Sequence, residues 1–241
     1  MLSDRDVLLR KAFAELLGTL LLVATVVGSG IAASRLSPGD VGLQLLENAL
    51  VTGAVLVALI LALGPVSAAF NPVVTLVERA LGALTTGQAA VLVVAQVTGA
   101  CLGSVLANLM FELDAVAVSA RDRSSGALWL AEVVATFGLV VVVFGVVRSG
   151  RAAHVAYAVG AYITAAYFFT SSTSFANPAV TVGRTLSDTF AGIAPSSVGP
   201  FVLAQLAGGA LAYGAVRLLY PRAAELAADL TRLPDLEGAD R

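Results

Sequence analysis

The sequence predicts an all-α membrane protein, with six transmembrane helices and two re-entrant half-helices arranged as inverted three-helix repeats. Three observations carry this. Hydrophobic residues make up 58% of the 241 and charged residues only 12%, with a mean hydropathy of +0.91, whereas a soluble domain carries about 25% charge. Six apolar runs have the roughly 17–25 residues needed to cross a bilayer. Landmarks from the first half of the chain recur, in order, in the second.

The six runs lie at 12–33, 43–63, 87–111, 127–147, 152–170 and 198–220. Arg5, Arg10 and Lys11 precede the first, as they would a secretory signal. The run is too long for a signal core, however, and no clean cleavage context separates it from five further spans, so it reads as a retained helix. Six spans leave both termini on one side. That side collects Arg5, Arg10, Lys11, Arg79, Arg148, Arg151, Arg217, Arg222, Arg232 and Arg241; the other has Arg35, Arg121, Arg123 and Arg184. Ten against four places the termini in the cytoplasm. Residues 221–241 read as a polar cytoplasmic tail, with a short helix as one option, at the end of a single transmembrane channel domain covering 1–241.

Composition also excludes classes of function. The 14 Lys and Arg nearly cancel the 16 Asp and Glu, which offers nothing to a nucleic acid. Cys101 is the only cysteine and reads as a small buried packing residue; His154, the only histidine, reads as capping or lining a helix end. One of each makes no metal cluster, and no nucleophile with a base or nucleotide-binding loop is in evidence. The chain reads as a passive conduit in a lipid bilayer, without cofactor or metal, and not as an enzyme.

The repeats run from about 12–111 and 127–220. Ala14-Glu15 with Thr19 recurs as Ala131-Glu132 with Thr136 (132 − 15 = 117), Asn71-Pro72-Val73-Val74-Thr75 as Asn177-Pro178-Ala179-Val180-Thr181 (177 − 71 = 106), and Ala95-Gln96 with Gly99-Ala100 as Ala204-Gln205 with Gly208-Gly209 (205 − 96 = 109). Three spans per repeat is odd, so the second repeat enters from the opposite face and the site falls near the midplane where the repeats meet.

Segments 64–69 and 171–176 are rich in Gly, Pro, Ser, Thr and Ala, poor helix formers, and each leads into Asn-Pro. Asn is a favoured N-cap and Pro a favoured first helical residue, so each pair starts a helix. The ten residues 71–80 span about 15 Å at ~1.5 Å per residue, and two such half-helices end to end match the roughly 30 Å hydrocarbon core. Irregular backbone at that depth is tolerated where it lines a watery cavity. Glu15 and Glu132 lie within spans, where acidic groups are costly. Their equivalent positions suggest struts that accept hydrogen bonds from the loop before each half-helix, a proton relay being the other reading, with Gln96 and Gln205 as buried polar struts beside them. Gly99 with Gly103, and Gly208 with Ala212, allow close helix packing.

These motifs resemble the aquaporin and glyceroporin family over nearly the whole chain, from Ala14-Glu15 to Ala204-Gln205-Leu206-Ala207-Gly208. The resemblance implies a right-handed six-helix bundle, one pore per subunit, a homotetramer in a bacterial plasma membrane, and Asn71 and Asn177 as amide donors to solutes passing in single file. It also exposes departures. Val73 stands for the usual alanine. Val180 stands where the family usually carries the arginine of its outer constriction. Alignment on Gly53 puts Thr52 where water channels have an aromatic. Ser174 (or Phe175) and either Ala165, counted from the Asn-Pro box, or Tyr167, counted from Gly160, complete the constriction. Arg184, one turn beyond Val180, reads as a solvated or headgroup-facing arginine, the other reading being a surrogate cation. A wider, more apolar constriction implies larger neutral solutes such as glycerol, urea or undissociated metalloid hydroxides, with water. The Ser174-Phe175-Ala176-Asn177-Pro178-Ala179-Val180-Thr181 box resembles that of bacterial members linked to arsenic detoxification, and this resemblance implies arsenite or methylated arsenicals. The alternatives are a water-selective channel and, further off, a secondary transporter.

Overall fold

A computed structural model describes residues 3–220; the expected tail at 221–241 lies outside the described residues. Eight α-helices follow in order: α1 (Asp4–Leu36), α2 (Val41–Leu63), α3 (Pro72–Ala80), α4 (Thr86–Met110), α5 (Gly126–Arg148), α6 (Val155–Phe169), α7 (Pro178–Gly183) and α8 (Pro195–Leu219). Among them, α1, α2, α4, α5, α8 and α6 with its preceding 3-10 turn are long and apolar enough to cross a membrane.

Local chemistry sets the ends. Ser3 Oγ accepts from Asp6 N while Asp6 Oδ2 accepts from Ser3 N, a capping box that starts α1 eight residues before the expected 12–33 run. Thr85 and Gln88 build the same box for α4, and Asp40 and Ser125 cap α2 and α5. His154 occupies the N-cap position of α6 and its ring centre lies 6.4 Å from that of Tyr157 on the first turn, but it makes no capping hydrogen bond, so it sits at a helix end without capping it. Cys101 is half-buried on α4, not fully buried as expected.

The two longest contacts repeat each other: α1 packs along α4, and α5 along α8. Both are possible because glycines remove the side chains in between. A Cβ on Gly99 would meet Leu16 O at 2.3 Å, one on Gly103 would meet Leu20 O at 2.4 Å, and one on Gly208 would meet Val133 O at 2.5 Å. Large apolar side chains such as Leu50, Val94, Leu203 and Leu211 remain exposed on the outer faces, the surface a bilayer covers.

The half-helices α3 and α7 pack between these pairs. They are unequal: α3 has nine residues, whereas α7 has six and continues as a 3-10 turn, Arg184–Leu186. Val73, bulkier than the usual alanine of its box, is accommodated from across the bundle. Its Cγ1 lies 2.3 Å from where a Cβ on Gly209 would sit, so the missing methyl on α8 makes room for the extra methyls on α3.

Gly209→Ala should therefore destabilise the protein by roughly 1–3 kcal/mol, because a β-branched residue in a helix has little rotamer freedom to retreat. Val73→Ala in the same chain should recover most of that loss. Thermal unfolding of the purified protein in detergent measures both; a double variant no more stable than Gly209→Ala alone would separate the two positions.

Candidate functional site

Each half-helix begins at an asparagine whose side-chain amide is held at both its oxygen and its nitrogen. Asn71 Oδ1 accepts from Val73 N at 2.9 Å, and Asn177 Oδ1 accepts from Ala179 N at 3.0 Å and Val180 N at 3.3 Å, which satisfies N–H groups that a helix start leaves free. The amide nitrogens cross between repeats: Asn71 Nδ2 donates to Ala176 O at 2.7 Å, and Asn177 Nδ2 donates to Phe70 O at 2.6 Å. An amide carries two N–H donors, so each asparagine retains one beyond this crossed bond, and both residues line the cavity described below.

Phe70 and Ala176, immediately before the asparagines, have φ of 47° and 48°. Left-handed backbone costs a non-glycine residue of the order of 1–3 kcal/mol and persists where its surroundings over-determine it. Here they do. Glu15 accepts from Ala69 N (2.9 Å), Phe70 N (2.7 Å), Ser67 Oγ (2.5 Å) and Gln96 Nε2 (2.8 Å). Glu132 accepts from Phe175 N (2.9 Å), Ala176 N (2.8 Å) and Gln205 Nε2 (2.6 Å). Gln96 and Gln205 also donate to Thr75 and Thr181, each at 2.9 Å. Both backbone polar groups of each left-handed residue are thus engaged, N–H by a carboxylate of its own repeat and C=O by an asparagine of the other. One threonine follows each asparagine by four residues; the repeated motif contains both, and the structure gives them the role of glutamine acceptors.

A cavity of ≈ 530 Å³ runs past these groups. One end is bordered by Lys11 and Glu78. The irregular segment 64–70 and the apolar side chains of Leu22, Val26, Leu56, Leu139 and Val143 line the middle, and Thr52, Ile163, Tyr167, Ser174, Phe175, Val180 and Arg184 line the other end. Glu78 went unnoticed in the sequence, although an acidic residue in an apolar half-helix carries the same signal as Glu15.

Of the two candidates on α6, Tyr167 reaches the cavity and its hydroxyl lies 3.1 Å from Thr52 Oγ1. Ala165 is exposed on the outer face and does not line the cavity; counting back from the Asn-Pro box missed because the intervening segment is short. Ser174 and Phe175 both line it. Val73 and Ala179 are buried behind the lumen and do not. Arg184 corrects the solvated reading. It is 2% exposed, its guanidinium lies 3.5 Å from the centre of the Phe175 ring, and its Nε donates to Ala191 O.

The outer segments lock together around it. Ala117 N donates to Leu186 O and Ser119 N to Thr185 O, which ties the segment before α5 to the 3-10 turn, and Arg121 Nη1 reaches Phe190 O at 2.7 Å. Arg123 is also buried, donates from Nε to Gly192 O at 3.0 Å, and lies 4.8 Å from the Phe175 ring centre. Burial, followed by the charges of Arg184 and Arg121, disfavours its charged form.

A family model described as major intrinsic protein matches residues 2–170. The chain is 50% identical over 213 residues to aquaglyceroporin AqpS of Rhizobium meliloti (strain 1021), an alignment covering 88% of this chain and 91% of that protein. It is 30% identical over 209 residues to a protein described as probable aquaporin NIP4-2 of Arabidopsis thaliana, covering 81% and 71% respectively. The X-ray structure of the aquaglyceroporin from Plasmodium falciparum has the same fold, with a TM-score of 0.70 at 18% identity over 90% of this chain and 98% of that one.

Glu15→Gln or Glu132→Gln leaves one carbonyl oxygen to serve backbone N–H groups that a carboxylate now holds with two. Hydrogen bonds to a charged group contribute about 1.5–3 kcal/mol each, so either change should destabilise the protein by at least that amount, seen as lower yield and earlier thermal unfolding. Glu15→Gln should be the more damaging, since Glu15 holds Ser67 as well.

Proposed function

The chain belongs to the major intrinsic protein family and is a passive membrane channel for small solutes, and we propose that it passes glycerol, urea, and arsenite or methylated arsenicals together with water. The observation that carries this is Val180 on the lumen, where the family usually places an arginine, beside the Thr52–Tyr167 hydroxyl pair. Valine in place of the arginine and Thr52 in place of an aromatic shorten two side chains of this wall, which favours solutes bulkier than water. One of the two hydroxyl protons is used within the pair, leaving a donor and acceptor lone pairs for a passing hydroxyl.

The central asparagines are read as the donors that orient such solutes in single file. Each keeps a free amide N–H beside a helix start, and two helix N-termini together present about +0.5 charge each, which opposes cations. The carboxylates Glu15 and Glu132 are already filled by hydrogen bonds, which favours a channel over an ion-coupled transporter. The second reading is a water-selective pore, and relative permeability decides between the two. The basic residues and the bacterial relative support a plasma-membrane location with cytoplasmic termini. The family resemblance supports a homotetramer of single-domain subunits, each with its own pore.

Two experiments on purified protein in proteoliposomes test this reading. Asn71→Asp or Asn177→Asp puts a carboxylate at the half-helix start; it should admit a proton or sodium leak or abolish neutral flux, and unchanged flux without leak in both variants would remove the asparagines from the pore. Val180→Arg should depress glycerol and arsenite uptake more than osmotic water permeability, by about tenfold or more in their ratio if it costs ~1.4 kcal/mol in the throat, while Val180→Ala preserves or raises solute flux. A solute-to-water ratio unaltered by Val180→Arg would take residue 180 out of the constriction.

A further inference from the structure

The geometry points to Arg184 as the specificity-determining cation of the outer constriction, taking from one turn further along the role that Val180 leaves vacant. The inference rests on the neutral-solute channel proposed above and assigns that channel its charge filter.

Helical side chains lean toward the helix N-terminus, so a residue covers the surface over the turn before it. Arg184 has φ −68° and ψ −7° and is the C-cap of α7; its side chain therefore returns along the lumen toward the level of Val180, whose short side chain leaves room. The turn that carries it is anchored to α4. A Cβ on Gly183 would meet Ala100 O at 2.6 Å, so backbone lies against backbone there, and Ser104 Oγ donates to Gly183 O at 2.7 Å. Asn108 then takes Leu186 O through Nδ2 at 2.9 Å and accepts from Ser187 Oγ at 2.7 Å. The start of the arginine side chain is thus fixed by four contacts.

Its far end is positioned but not consumed. The Phe175 ring supports the guanidinium face and Ala191 O takes Nε. No described residue accepts from the two terminal nitrogens, and neither is sealed from the cavity that Arg184 lines. A guanidinium has five N–H donors in a fixed fork, so four have no acceptor among the described residues. Ser174, 3% exposed and on the same wall, has a hydroxyl oxygen without a hydrogen-bond partner in the described chain. A buried fork of donors, an unpartnered hydroxyl and the Thr52–Tyr167 pair suit a neutral solute bearing two or more oxygens. The fixed charge in a low-dielectric throat repels cations.

The test compares Arg184→Met and Arg184→Lys with the unaltered channel in proteoliposomes, reading glycerol, urea and water permeability and the leak of protons and sodium, with thermal unfolding as the control for folding. Arg184→Met, similar in length but neutral, should open a cation leak and change the glycerol-to-water ratio at least about threefold. Arg184→Lys keeps the charge and loses the fork, so it should stay cation-tight while the glycerol-to-urea ratio shifts at least about twofold. A folded Met variant that stays cation-tight with unchanged ratios overturns the assignment. If the Met variant does not fold, the Lys variant decides: a cation leak, or an unchanged glycerol-to-urea ratio, overturns it. Glycerol flux in the unaltered channel no greater than in protein-free vesicles would instead overturn the solute reading on which the assignment rests.

Discussion

Two buried carboxylates hold the pore in place. Glu15 and Glu132 sit at 0% exposure in the first and fourth spans, and each is filled by consecutive backbone N–H groups of an irregular segment and by a glutamine amide. An anion left unpaired there would be prohibitive, and so would unpaired backbone N–H groups at bilayer depth. Each solves the other's problem. Once the carboxylate is in place, the chain before each asparagine has one acceptable path, left-handed at its last residue, and the asparagine must start a helix pointing at its counterpart. The glycine contacts along α1–α4 and α5–α8 bring the glutamine-bearing helices close enough to join this arrangement.

The shared frame makes the differences between the repeats informative. At the central asparagines the two halves are near copies. Away from the centre they diverge, with Glu78 and Lys11 at one mouth and Arg184 at the other. The shorter α7 gives up its last turn to a 3-10 segment that the outer loops strap down, and this asymmetry brings an arginine from beyond the half-helix back to the lumen.

The six spans, the half-helices and the pairing of landmarks were legible in the sequence because each depends on local rules: bilayer length, Asn-Pro as a helix start, and a period shared between halves. The lining of the outer constriction was less so. Whether Ala165 or Tyr167 faces inward turns on the phase of a helix joined to a short segment, and counting from the two ends gave different answers. Arg184 read as solvated because exposure is the default for an isolated arginine; its burial depends on Phe175, Ala191 and the α4 side chains, none of which is near it by spacing that a sequence displays. Val73 likewise appeared as a modest departure from a motif, and its match to Gly209 is visible only where α3 meets α8.

The crossed amide bonds have a consequence for where the molecule can be divided. What Asn71 gives to Ala176, Asn177 returns to Phe70, the pattern of an isologous dimer interface in which each partner offers the same surface and receives it back. The centre of the channel is in that sense a dimer contact enclosed within one polypeptide. A damaged amide in one half withdraws support from the other half's left-handed residue, so the two repeats fail as one unit at the midplane while remaining separately adjustable at the mouths.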